Sequence, residues 1–304
     1  MKKRIKIFVI VLVIVGLISL FVWYLSGLNF EVLNSKGPIA LQERNLIYFA
    51  LLLSLVIVIP VFSLTIFFAY KYRESNNNTT YRPDWDRSFV FESLWWIIPS
   101  ILIGILAVVT WNSSYQLNPY KSLNSNVKPV VIQVVALDWR WLFIYPNSNI
   151  ATVDYFKFPI NTPVDFYITS AAPMNSFWIP QLGGQIYAMA GMSTELHLMA
   201  SSYGNYRGLS ANLSGVGFSG MTFSADAVSN AAFSNWLKYV RTSNNRLSLS
   251  NFNILAHPTI SSKTINYYGV YPNLYVKIIN NFMSSKSEIK HKIFTKNNIN
   301  MVGM

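Results

Sequence analysis

Asn175 to Gln185 reads NSFWIPQLGGQ, and Gly208 to Met221 reads GLSANLSGVGFSGM. How these two stretches are read decides how the outer half of the chain folds. Taken alone, Gly215 to Gly220 is a Gly- and Ser-rich surface loop. The residues around it are of another kind. Val130–Leu137 and Trp139–Tyr145 are rich in Val, Ile and aromatics, and Thr152–Phe158 and Asp165–Thr169 follow after Pro and Asn breaks. Ser193–Met199 alternates, with Glu195 and His197 on one face and Leu196 and Leu198 on the other. Short strands at this spacing, punctuated by Gly and Pro, predict a β-sandwich. A lone His beside Glu195 on a polar strand face reads as a solvated residue rather than a ligand.

Past Asp226 the period becomes helical. Phe233, Trp236, Leu237 and Val240 recur at three and four residues, with Ser229 or Asn230 as N-cap. A second amphipathic helix is expected from about Asn273, with Tyr275, Ile278, Ile279 and Phe282 on one face. Both read as packing elements.

On the N-terminal side the chain is apolar. Of 304 residues, 52% are hydrophobic and only 12% charged, which points to membrane insertion. Three uncharged runs, Ile7–Leu25, Leu46–Tyr70 and Ser93–Tyr115, each approach the ~20 residues that cross the hydrocarbon core. Pro60 and Pro99 fall inside the second and third runs, where transmembrane helices tolerate them. Lys2, Lys3, Arg4 and Lys6, and then Lys71, Arg73, Arg82 and Arg87, outweigh Lys36 and Arg44 in the loop between the first two runs. The basic segments are therefore expected on the cytoplasmic side, and everything after Tyr115 outside. Ile7–Leu25 fits a secretory signal as well as a third transmembrane helix. Its 19 residues exceed the usual apolar stretch of a signal, which favours retention. The net charge of +12 is scattered, densest at Lys286, Lys290, Lys292 and Lys296. With no nucleic-acid fold signature beside it, it reads as a solvated or lipid-contacting tail.

The motif MNSFWIP at 174–180, with YAMAG at 187–191 and the Gly215–Met221 stretch, resembles subunit II of the haem-copper respiratory oxidases, and within it the quinol-oxidising, cytochrome bo-type branch. The resemblance covers about Gly27 to Met283. It implies a cupredoxin-like Greek-key sandwich outside the membrane. In copper-bearing members the first half of the frame reads His-Ser-Trp or His-Ser-Phe, and the second Cys-x-Glu-x-Cys-x-x-x-His-x-x-Met. Laid on this chain, the ligand positions become Asn175, Ser210, Asn212, Ser214 and Phe218, and only Met221 is a ligand type. A mixed-valence copper pair needs thiolates and imidazoles, and serine hydroxyls stay protonated and hard. The chain has no Cys, and its three His are His197, His257 and His291. No thiolate-bridged copper pair can be built from it, and its cofactor complement is expected to be none.

The same resemblance implies further roles. Trp139, Trp141 and Tyr145 belong to a Trp-x-Trp stretch that lies at the junction with subunit I in copper-bearing relatives, so docking is expected of them. Glu92, in FESLWWIIP at 91–99, matches the family pattern Glu-x-x-Trp-x-x-x-Pro and implies the mouth of a proton channel into subunit I. An intramembrane-edge carboxylate is a functional candidate; it also suits a helix N-terminus by charge alone. A lipobox Cys of related subunits falls at Leu28, which excludes lipid attachment there.

The expectation is an α + β membrane protein. A signal-like or first transmembrane segment spans 1–28, a transmembrane hairpin 40–115, a cupredoxin-like sandwich 127–228, a helical extension 229–283 and a basic tail 284–304. Its implied setting is the bacterial inner membrane, multi-pass, with the sandwich on the periplasmic side. It would serve assembly, docking and proton uptake in a quinol oxidase that reduces oxygen and pumps protons. Its partners would be subunit I, holding haems and one copper, the other subunits and membrane lipid, with ubiquinol as the substrate and no nucleic acid bound. The rival is a membrane-tethered cupredoxin-like binding or sensory protein without an oxidase partner.

Overall fold

A computed structural model of the chain describes residues 30–74, 76, 86–260 and 263–283, with isolated positions 16, 19 and 20. The expectations for the first apolar run, for Leu28 and for the basic tail fall outside the described residues.

Two long helices come first, α1 (Pro38–Lys71) and α2 (Phe89–Gln116). Both are long and apolar enough to cross a membrane, and their apolar windows are unburied within the chain. At ~1.5 Å per residue, the 34 residues of α1 reach about 51 Å, well beyond a hydrocarbon core of about 30 Å. Ser54, Thr65 and Ser100 turn their hydroxyls onto the carbonyls of Ala50, Val61 and Trp96 at 2.8, 2.7 and 2.7 Å. These donors are thereby satisfied inside their own helices, as an apolar surrounding demands.

The first turn of α1 is fixed to the outer domain. Lys36 N–H donates to the Gln181 carbonyl at 2.7 Å, Ala40 N–H to that of Leu182 at 3.2 Å, and Ser201 N–H to that of Lys36 at 2.7 Å. Gly37 fits because a Cβ there would lie 2.4 Å from the Met199 carbonyl oxygen.

The outer domain is the expected two-sheet sandwich. In chain order its strands are β1 (Val130–Ala136), β2 (Trp141–Tyr145), β3 (Ile150–Val153), β4 (Tyr155–Pro159), β5 (Val164–Ser170), β6 (Asn175–Trp178), β7 (Ile186–Ala188), β8 (Thr194–Leu198), β9 (Gly204–Ser210) and β10 (Thr222–Val228). The extension adds α3 (Asn230–Arg241), β11 (Arg246–Leu247), α4 (Leu249–Leu255), β12 (Ile265–Tyr267), β13 (Gly269–Val270) and a helix over 274–283, α5. One sheet runs β12-β3-β2-β1-β5-β8 and the other β4-β10-β9-β6-β7. Ser229 is the N-cap of α3, its hydroxyl accepting from Ala232 N–H at 3.2 Å.

The expected single strand over 152–158 is two strands. The chain turns at Asp154, whose φ is +61°, and passes from one sheet to the other. Asp tolerates this left-handed conformation better than the β-branched residues around it. Its carboxylate holds the crossing, accepting from Trp141 N–H at 2.8 Å and from Arg140 Nε at 3.1 Å.

Every residue of β2 is buried, although only one face of a strand can point into a sandwich. Trp141, Phe143 and Tyr145 face inward, joining Phe156, Phe166, Phe177 and Phe223 in the main core. Phe177 and Phe223 stack at 5.0 Å with planes 7° apart. Leu142 and Ile144 face the other way, under a second core made with Leu247, Phe252, Leu255, Leu274 and Ile278. The helical extension is thus the cover that the outer face of the six-stranded sheet requires.

The emptied ligand frame as candidate site

The frame residues meet where β6 runs beside β9, with Phe177 opposite Ser210. Asn175 and Ser210 are 1% and 2% exposed. Each satisfies the other, the Ser210 hydroxyl donating to Asn175 Oδ1 at 3.0 Å, while Asn175 Nδ2 donates to the Pro173 carbonyl at 2.8 Å. Asn212 Nδ2 donates to the Met174 carbonyl at 2.8 Å, and Ala211 N–H to that of Ser176 at 2.9 Å. The two halves of the frame are therefore joined by neutral hydrogen bonds rather than through a metal.

The remaining positions complete this picture. Ser214 Oγ is buried, without a hydrogen-bond partner in the structure, and Phe218 opens a short 3-10 turn, Phe218–Gly220. Met221 is 1% exposed and packed in the main core. The donors at hand are amide oxygens, hydroxyls and one buried thioether, a set that does not fit a thiolate-bridged copper pair. Among the described residues, no group of three or more His, Cys, Asp or Glu is arranged so that it could hold a metal ion.

Of the expected docking residues, two are buried within the sandwich itself. Trp141 and Tyr145 are 0% and 2% exposed, because alternate residues of β2 fill the sandwich. The Tyr145 hydroxyl donates inward, to the Lys157 carbonyl at 2.6 Å. Trp139 alone is partly exposed. It sits at φ +67° and donates from Nε1 to the Ser214 carbonyl at 3.2 Å. Its ring lies against the frame loop so closely that a Cβ at Gly217 would come within 2.4 Å of it. Beside Trp139, the frame loop exposes the apolar side chains of Leu213 and Val216, and Met174, whose carbonyl Asn212 bonds, is exposed as well.

His197 is corrected. It is 8% exposed rather than solvated, and its Nδ1 lies 2.7 Å from Asp165 Oδ1. Asp165 stands directly opposite it on β5. The pairing depends on strand register, which the spacing of the two residues in sequence does not reveal. The Arg140–Asp154 pair, with side chains 7% and 8% exposed, was likewise not anticipated. Burial pushes the Asp154 carboxyl up to about 6, against the pull of Trp141 N–H and Arg140.

Glu92 stands far from the frame, in the first turn of α2, its N–H donating to the Ser88 carbonyl at 2.9 Å. The Ser88 N-cap makes no side-chain bond, so a carboxylate complements the helix end. Glu92 also lines a cleft of about 670 Å³ between α1 and α2, with Asp86, Arg87, Trp95, Pro60 and Pro99. Helix capping and access to the cleft thus meet in the same residue.

No family model matches the chain. Curated proteins do. The cytochrome bo(3) ubiquinol oxidase subunit 2 of Pseudomonas putida is 48% identical over 258 residues, covering 85% of this chain and 82% of that protein. The subunit of that name from Buchnera aphidicola subsp. Schizaphis graminum is 46% identical over 90% of this chain and 96% of its own length. The ubiquinol oxidase subunit 2 of Acetobacter aceti is 44% identical, covering 86% and 87%. The periplasmic domain of subunit II of cytochrome oxidase from Bradyrhizobium japonicum aligns at a TM-score of 0.36 and 20% identity over 39% of this chain, too low to weigh. Relatives sharing nearly half their residues along almost their whole length settle the family where the frame alone could not: the chain belongs to the ubiquinol oxidase subunit 2 family.

Proposed function

We propose that this chain is the non-redox second subunit of a proton-translocating terminal oxidase that oxidises ubiquinol and reduces oxygen to water. The observation that carries this reading is the Asn175–Ser210 hydrogen bond at 3.0 Å, which fills the place of two ligands in a chain without cysteine. Electrons have no relay here, so they reach the partner from quinol in the bilayer. Haems and one copper belong to subunit I. This chain holds that subunit through α1, α2 and the exposed apolar residues around Trp139. A sensory role without an oxidase is disfavoured by the relatives' shared identity over the helices as well as the sandwich.

The Lys and Arg distribution supports a multi-pass chain with the sandwich outside, and the bacterial relatives support the inner membrane, with the sandwich on its periplasmic side, as the setting. That puts Glu92 at the cytoplasmic mouth of the cleft between α1 and α2, where a carboxylate can collect protons for subunit I. Glu92→Gln in the assembled oxidase tests this. It keeps the shape and the backbone bond to Ser88 but removes the titrating group, and positioned proton transfer contributes about 10²-fold or more. Quinol-driven turnover is expected to fall by at least about ten-fold at unchanged haem content. Unchanged turnover would leave Glu92 with the helix end alone.

A further inference from the structure

The outer end of the helix pair holds a second cavity. The start of α1, the end of α2, the connecting segment over 117–124 and the sandwich enclose about 300 Å³, the lower range of small-ligand sites. Its lining includes Glu43, Gln42, Gln116, Lys121 and His197. This polarity is out of keeping with the helices just below it. The apolar part of α1 begins at Leu46, less than one turn from Glu43, and that of α2 ends at Tyr115, next to Gln116. On the membrane placement proposed above, on which this inference rests, the cavity lies where hydrocarbon gives way to lipid headgroups.

The lining is suited to a zwitterion. The Glu43 carboxylate accepts from the backbone of Gly184 and lies close over it, a Cβ at 184 falling 2.8 Å from Oε1, so that a side chain there would displace the carboxylate. A carboxylate has about four acceptor sites, so one backbone bond leaves most of them for a ligand. Lys121 supplies an exposed ammonium on a flexible stem at the rim, able to follow a phosphate. His197 is already engaged through Nδ1 with Asp165 at 2.7 Å and forms a wall. Acid inside and base at the rim call for a ligand carrying an ammonium and a phosphate a few bonds apart. We infer that this cavity binds the headgroup of an aminophospholipid, its ammonium on Glu43 and its phosphate on Lys121. A glycerol headgroup would satisfy Lys121 but bring no cation to Glu43.

Native mass spectrometry of the full chain in its complex, taken from nanodiscs of equal phosphatidylethanolamine and phosphatidylglycerol, reads this directly. The wild type is expected to retain the ethanolamine lipid over the glycerol lipid by about ten-fold, the scale of one charge-assisted hydrogen bond. Glu43→Gln, which keeps shape and can still accept from Gly184, should bring the ratio close to one. Glu195→Gln, a carboxylate outside the cavity and 41% exposed, should leave it unchanged. No preference in the wild type, a preference that survives Glu43→Gln, or an equal loss in Glu195→Gln would overturn the inference. Quinol oxidation by the same preparation reports separately on the oxidase reading, so the two can fail independently.

Discussion

Asp154→Asn changes one atom at the point where the chain crosses between the sheets, and its consequence can be worked out from the site. The carboxyl is held at about 6, against about 3.9 in an unfolded chain. Burial, the largest cause, exceeds the combined pull of Trp141 N–H and Arg140. A folded value raised above the unfolded one favours the fold most when the group is protonated. Its contribution is full below about pH 4 and is lost as pH rises through about 6. A difference of roughly two units, at about 1.4 kcal/mol per unit, makes that loss about 3 kcal/mol. In a domain of this size that corresponds to roughly 6–12 °C in Tm. Asn cannot ionise, tolerates the left-handed backbone, and can still accept from Trp141 N–H. Thermal unfolding of detergent-purified protein between pH 4 and 8, followed by tryptophan fluorescence, should show a wild-type loss of stability through pH 4 to 6 that Asp154→Asn lacks. Parallel profiles would refute the claim that burial outweighs the Arg140 pairing.

Two further perturbations test the joints. Gly37→Ala places a methyl 2.4 Å from the Met199 carbonyl oxygen, in backbone that cannot give way cheaply. Overpacking of this kind costs about 1–3 kcal/mol, and limited proteolysis should cut faster between α1 and the sandwich; an unaltered digestion pattern would contradict the fixed joint. Gly217→Ala drives a methyl to 2.4 Å from the Trp139 ring, so the ring must leave the frame loop. A red shift in Trp emission and a loss of about 1–3 kcal/mol are expected, and unchanged emission would show that Trp139 is not held there.

Much of this architecture could be read from residue type. Uncharged runs at 46–70 and 93–115 gave both helices, and the aromatic and β-branched segments gave the sandwich, since those signals are local. What stayed hidden depends on pairing across distance. Asp154 sits in a stretch that reads as one strand, and only the exchange of sheets makes it a turn. The burial of Trp141 and Tyr145 follows from β2 being covered on both faces, once by the opposite sheet and once by residues more than a hundred positions later. His197 alternates with Leu196 and Leu198 as an outward residue would, yet Asp165 opposite it and the helix ends below take it from solvent. The frame was legible because its meaning lay in which residues are missing. How Asn175 and Ser210 satisfy each other needed coordinates.

The central claim is that no electron passes through this sandwich. Oxygen consumption by the purified complex, compared with ubiquinol and with reduced cytochrome c as donors, tests it most directly, with near-infrared absorption recorded on the same sample. Turnover with ubiquinol, none above background with cytochrome c, and no dicopper band are expected. Sustained turnover with cytochrome c, or a near-infrared dicopper band that follows this chain, would contradict it.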